Sequence, residues 1–177
     1  MKACLHAKST GFSLVELMVT IAVLGVLVSL GMPSFRTMLR NAEIRTAAES
    51  VTNGLQRARA EAVARNANVQ FVLGTGTSWT VDYVVKPVST DPPIDARSGS
   101  EGSANVTRTA LAADGTTAAT TATFNNLGQV VPGANALARV DFAAVGGNQT
   151  LRVTIGAGGN AKACDPSLVP NSSPRAC

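Results

Sequence analysis

Apolar residues follow three different rules along this chain. From Leu17 to Met32 the sequence reads LMVTIAVLGVLVSLGM, without a charge and with only Thr20 and Ser29 as polar interruptions. Counted from Phe12 to Phe35 the stretch has 24 residues, about 36 Å of helix against a hydrocarbon core of about 30 Å. That is long enough to span a bilayer. Glu16 breaks the pattern at its membrane end. A charge there costs at least ~2.5–3.5 kcal/mol, so an acid in that place reads as functional, with a cationic partner.

Beyond Pro33 the rule changes. Ile44, Ala48, Val51, Leu55, Ala58 and Ala62 recur at intervals of 4, 3, 4, 3 and 4, a stripe down one helix face. Arg45–Glu49, Arg57–Glu61 and Glu61–Arg65 are i,i+4 pairs that support an exposed flank. The stripe is short and rich in alanine, which suits packing on a sheet better than a free coiled coil. Asn66-Ala67-Asn68 is the expected stop.

After residue 67 the period drops to two. Val69, Phe71 and Leu73 alternate with polar or small neighbours, Gly74-Thr75-Gly76 turns the chain, and Trp79, Val81, Tyr83 and Val85 alternate again, which predicts a hairpin. Lys86 to Ser103 carries three prolines with several serines and glycines and reads as a loop. Further strands are expected at Val106–Leu111, Thr121–Asn125, Gln129–Val131, Arg139–Phe142 and Thr150–Ile155. The Thr/Ala stretch Asp114–Ala122 reads equally as strand or loop. Phe124, Phe142, Leu151, Val153 and Ile155 are expected in the core. The predicted class is α+β, a long N-terminal helix packed by its second half on an antiparallel β domain.

Candidate chemistry is sparse. The only histidine is His6, and no nucleophile–base pair, paired carboxylates or metal-ligand spacing can be assembled, so neither an enzyme nor a cofactor is expected. Gly156-Ala157-Gly158-Gly159 follows a strand but lacks the Lys-Ser/Thr of a phosphate loop, and reads as a turn.

The N-terminal residues carry a resemblance. A basic leader (Lys2, Lys8), the junction Gly11-Phe12, then Ser13-Leu14-Val15-Glu16 and an apolar helix resemble the prepilin signal of type IV pilins and type II secretion pseudopilins. The resemblance implies cleavage after Gly11 by a prepilin peptidase and N-methylation of Phe12 by the same enzyme. It also implies that Glu16 pairs with the N-terminal amine of a neighbouring subunit. It divides the chain into a leader at residues 1–11, a transmembrane half-helix at 12–35, an amphipathic half-helix at 36–66 and a periplasmic β domain at 67–177. The leader takes two of the 15 lysines and arginines and none of the 11 acids, so the formal charge falls from +4 to +2. So mild a charge does not by itself argue for nucleic acid. Cys4 leaves with the leader. Cys164 and Cys177 remain as an even pair, which an oxidising compartment closes into a loop, since two cysteines without histidine cannot complete a tetrahedral metal site. The disulfide puts the residues after the span on the oxidising side.

Two further stretches narrow the resemblance. Leu55-Gln56-Arg57-Ala58-Arg59-Ala60-Glu61-Ala62-Val63-Ala64-Arg65-Asn66, followed by a strand, is similar to the GspH/FimT family of minor pilins and pseudopilins. The tail from Gly159 to Cys177 resembles the disulfide-closed tail of the FimT/FimU type. The family implies a single-pass inner-membrane protein that enters the pilus with the other major and minor pilins and the assembly machinery, and acts in assembly or priming for twitching and adhesion. A pseudopilin of type II secretion and a DNA-binding pilin for transformation are the alternatives. Some members bind DNA through Gly-Arg-x-Arg ahead of the first tail cysteine; here Asn160 and Lys162 stand where that motif has its arginines. Lys162, Arg175 and Arg152 are the residues expected to touch phosphate if DNA is a ligand; otherwise the tail is a solvated basic segment.

Overall fold

The computed structural model describes residues 11–170 and 173–177. The leader positions Cys4, His6, Lys2 and Lys8 lie outside them. The chain forms two compact units that meet between Arg36 and Thr37. One helix, α1 (Leu14–Ala64), contributes to both.

In the first unit α1 is apolar and bare. None of its most apolar 18-residue window is buried by the chain. The two hydroxyls inside it are satisfied locally: Thr20 Oγ1 donates to the Leu17 carbonyl and Ser29 Oγ to that of Val26, each at 2.8 Å. Such local bonds leave no hydroxyl unpaired in a lipid environment. Pro33 sits inside the helix and lacks the N–H that would close on the Ser29 carbonyl.

In the second unit the same helix turns amphipathic. Ile44, Ala48, Val51, Leu55, Ala58 and Ala62, the six residues of the stripe, are all buried. Arg57–Glu61 closes at 2.8 Å and Arg65–Glu61 at 2.5 Å. The expected Arg45–Glu49 pair does not close; both side chains instead border a cavity at the C-terminal tail. The helix ends at Ala64, and Asn66 adopts φ 49° while the Ala67 N–H returns to the Ala62 carbonyl at 3.2 Å. Asparagine tolerates that left-handed turn better than most residues.

Eight strands follow: β1 (Val69–Leu73), β2 (Trp79–Tyr83), β3 (Asp95–Arg97), β4 (Val106–Ala112), β5 (Thr121–Phe124), β6 (Leu137–Ala144), β7 (Leu151–Ile155) and β8 (Ala161–Cys164). They make two four-stranded antiparallel sheets, in the orders β3-β2-β1-β5 and β4-β6-β7-β8. Phe71, Phe124, Phe142, Val81, Val140 and Val153 bury fully and meet the helix stripe in one core. Leu151 and Ile155 pack against its margin, half-buried. Arg108 of β4 ties the sheets together by donating to the carbonyls of Gly74 and Gly76 in the β1–β2 turn. Burial lowers its pKa from the usual guanidinium value.

Four expectations change. The β2 strand stops at Tyr83: Val84 still donates to the Asn68 carbonyl, but Val85 is left in solvent. The 86–103 loop contains β3, which borrows its register from β2. Around Gln129–Val131 only a bridge forms, between Val130 and Phe124. Ala161–Cys164, given no strand in the sequence reading, is the edge strand β8 paired to β7.

Candidate assembly site

The first candidate site is the start of α1. Gly11, Phe12 and Ser13 precede the helix, and Phe12 is 84% exposed. Ser13 is the N-cap: its Oγ accepts the Glu16 N–H at 3.3 Å, and its carbonyl accepts from Leu17 at 3.2 Å. The spacing Ser13-x-x-Glu16 is that of a capping box, a signal legible in the sequence that the expectations above did not use. It leaves the Glu16 carboxylate in the first helical turn, where the helix dipole favours negative charge. No cation of the described residues pairs with it. The site thus presents an exposed Gly11–Phe12 junction, a capped helix start and an unspent carboxylate on an uncovered apolar surface.

The second candidate site is the tail. Cys164 and Cys177 are joined in a disulfide. The Asp165 N–H donates to the Arg175 carbonyl at 2.6 Å, and Asp165 bridges Ala176 in parallel. Ser167 donates through Oγ (2.6 Å) and N–H (2.9 Å) to Asp165 Oδ1. These bonds, with the charge of Arg175, hold the Asp165 carboxyl below its usual range. The tail borders a cavity of about 410 Å³ whose walls include Arg45, Glu49, Leu151, Ala163 and Arg175.

The three cations named for phosphate contact differ in how they are held. Arg152 and Lys162 share the outer face of β7 and β8, since Arg152 opposes Cys164 and Lys162 opposes Thr154. Arg152 is engaged there: Nε and Nη2 donate to both carboxylate oxygens of Asp141, at 2.5 and 3.1 Å. That partner raises its pKa further. Lys162 is exposed. Arg175 borders the cavity at the tail together with Leu151, Ala163 and Cys164. The turn before β8 is set by packing: Gly159 has φ 79°, and a Cβ there would lie 2.0 Å from the Gly128 carbonyl oxygen. Among the described residues no cluster of histidine, cysteine or acids could hold a metal ion.

Comparison with known families adds to this geometry. The model for the prokaryotic N-terminal methylation motif matches residues 6–32, covering the Gly11–Phe12 junction and Glu16. The model for type II transport protein GspH matches residues 47–164, two-thirds of the chain. The chain belongs to the GspH family. It is a type IV pilin-like protein, with one long N-terminal apolar helix followed by antiparallel sheets. Two crystal structures of the type IV minor pilin FimU from Pseudomonas aeruginosa PAO1 share the fold. One aligns at 21% identity and TM-score 0.51, over 72% of this chain and 98% of FimU. The other aligns at 22% and 0.52, over 73% and 94%. No curated protein matches the sequence significantly.

Proposed function

We propose that this GspH-family protein is a minor pilin of a type IV pilus, a non-enzymatic subunit that acts in pilus assembly or priming. The observation that carries the reading is the start of α1: a matched methylation motif, an exposed Gly11–Phe12 junction, and Glu16 on a bare apolar helix. Cleavage after Gly11 by the prepilin peptidase and methylation of the new amine leave a cationic N-terminus at Phe12. Helices with nothing buried against them then bundle in the filament. Inside that bundle an amine without a partner is costly, and Glu16 of a neighbouring subunit neutralises it. Before assembly the protein is a single-pass inner-membrane protein with its disulfide-closed domain in the periplasm, an oxidising compartment.

One observation favours a second reading. The matched family model is described as a type II transport protein, which suits a pseudopilin of a secretion system; the FimU likeness supports the pilus. DNA binding for transformation is the weaker proposal, because Arg152 is held by Asp141. Mass spectrometry of the protein from sheared pili tests the first reading. It predicts a chain beginning at N-methyl-Phe12, present in pili. A chain that retains residues 1–11, or that is absent from pili and present only with secretion components, contradicts it.

A further inference from the structure

The β6–β7 turn presents an exposed, uncharged surface. Its tip, Val145, is 88% exposed, and the eight residues Ala144–Leu151 carry no charge. The turn is nonetheless held in place. Asn41 Nδ2 donates to Asn148 Oδ1 at 2.7 Å, the Asn148 N–H returns to Asn41 Oδ1 at 3.2 Å, and the Gly147 N–H bonds the Ala144 carbonyl at 3.0 Å. A Cβ on Gly147 would come within 3.1 Å of Ile44 Cδ1, so the turn lies directly against α1. The neighbouring loop, residues 102–105, is also uncharged, and its Asn105 donates to Glu43 at 3.1 Å. Glu43 is in turn neutralised by Arg40 at 3.1 Å. This end of the domain therefore offers an apolar tip, amides and a self-compensated ion pair.

Chain length limits what it can meet. Asn41 follows Phe35, the end of the apolar stretch, by six residues. Six residues reach no further than about 20 Å when fully extended. The turn fixed to Asn41 is thus tethered within reach of whatever surface holds the apolar segment. A tethered contact needs little intrinsic affinity, because its effective concentration is high. We propose that the β6–β7 turn seats on the lipid surface, with Val145 in the headgroup region, while the subunit waits in the membrane. An uncharged, rigid, apolar-tipped loop fits that interface, where a charged tip would resist desolvation.

The inference rests on the reading of Phe12–Phe35 as a membrane anchor, and the test separates the two. The full chain carrying Cys4→Ser and Val145→Cys is labelled with the fluorophore NBD; Cys164 and Cys177 are bonded, so one label per chain also reports an intact fold. A control places the label at Val85, exposed beyond the far end of the helix. Both are reconstituted in vesicles of phosphatidylcholine with some phosphatidylglycerol, with and without a spin-labelled lipid. The expected result is flotation with the vesicles, a blue-shifted Val145 probe, and quenching severalfold stronger than at Val85. Flotation with equal, water-like emission at both positions overturns the inference and leaves the anchor standing. Failure to float overturns the anchor and the inference with it. A Val145 probe that is water-like in vesicles but shielded in sheared pili assigns the turn to a neighbouring subunit and overturns the lipid contact.

Discussion

The indole N–H of Trp79 donates to Ser50 Oγ at 2.8 Å, with both residues buried at the contact of helix and sheet. It is a buried polar fastening set among the apolar side chains of that contact. Ser50→Ala leaves a buried indole donor without a partner, which costs about 1–3 kcal/mol. Chemical denaturation of the second unit should show that loss as a lower midpoint at unchanged slope. Ser50→Thr, which keeps the hydroxyl, should lose less.

Gly54 stands one helical turn further on. A Cβ there would lie 2.7 Å from Phe71 Cε2 and 3.0 Å from two atoms of the Trp79 indole. Alanine would improve helix propensity by about 1 kcal/mol, but overpacking costs about 1–3 kcal/mol. Both neighbours are buried rings, so the clash dominates. Gly54→Ala should be destabilising, and Gly54→Val more so, measured by thermal unfolding of the domain.

The disulfide closes a separation of 13 residues. A loop of that size stabilises by about 3 kcal/mol in the chain-entropy model. Replacing Cys164 and Cys177 together by alanine should lower stability by about that amount and open the Asp165–Ala176 bridge, read as faster amide exchange at Asp165 and Ala176. Thiol labelling of the unreduced protein should find neither cysteine free.

Acid should weaken the domain through two exposed turns. Thr117 and Thr116 donate hydroxyl and backbone bonds to Asp114, holding its carboxyl well below the usual range, and Ser167 does the same for Asp165. A carboxyl depressed in the folded state contributes stability that is present above its unfolded pKa and lost as pH falls through the folded one. Stability should therefore decline as pH drops below about 4. Asp114→Asn should flatten that decline, and urea midpoints across an acid series measure it.

The parts that were legible in the sequence are those whose signal is local. The stripe from Ile44 to Ala62 needs only spacing, and every member is buried. Glu16 stands out in the sequence because an acid interrupts an apolar run. Strands that exist through a partner were hidden. Ala-Lys-Ala-Cys of β8 and Asp-Ala-Arg of β3 have little strand character of their own and take their form from β7 and β2. Gln129–Val131 looks more strand-like, yet it follows Gly128 at φ 74° and precedes Pro132, so it forms a bridge alone. The engagement of Arg152 by Asp141 was equally out of reach, since it depends on the β6–β7 register. Ser13 was readable from its spacing to Glu16.

The account turns on Glu16 serving assembly and not the fold of the domain. Glu16→Ala keeps the backbone N–H that Ser13 accepts, the Gly11–Phe12 junction and every contact of the second unit. Cleavage and folding should be spared. Glu16→Gln keeps shape and hydrogen bonding without charge, so it separates pairing from packing. The direct measurement is quantitative blotting of sheared pili against the membrane fraction for the parent and both variants. The account predicts that both variants accumulate, processed, in the membrane and are depleted severalfold from pili. If Gln enters pili as well as the parent while Ala does not, shape and not charge carries the role; if both enter normally, Glu16 has no part in assembly and the central claim fails.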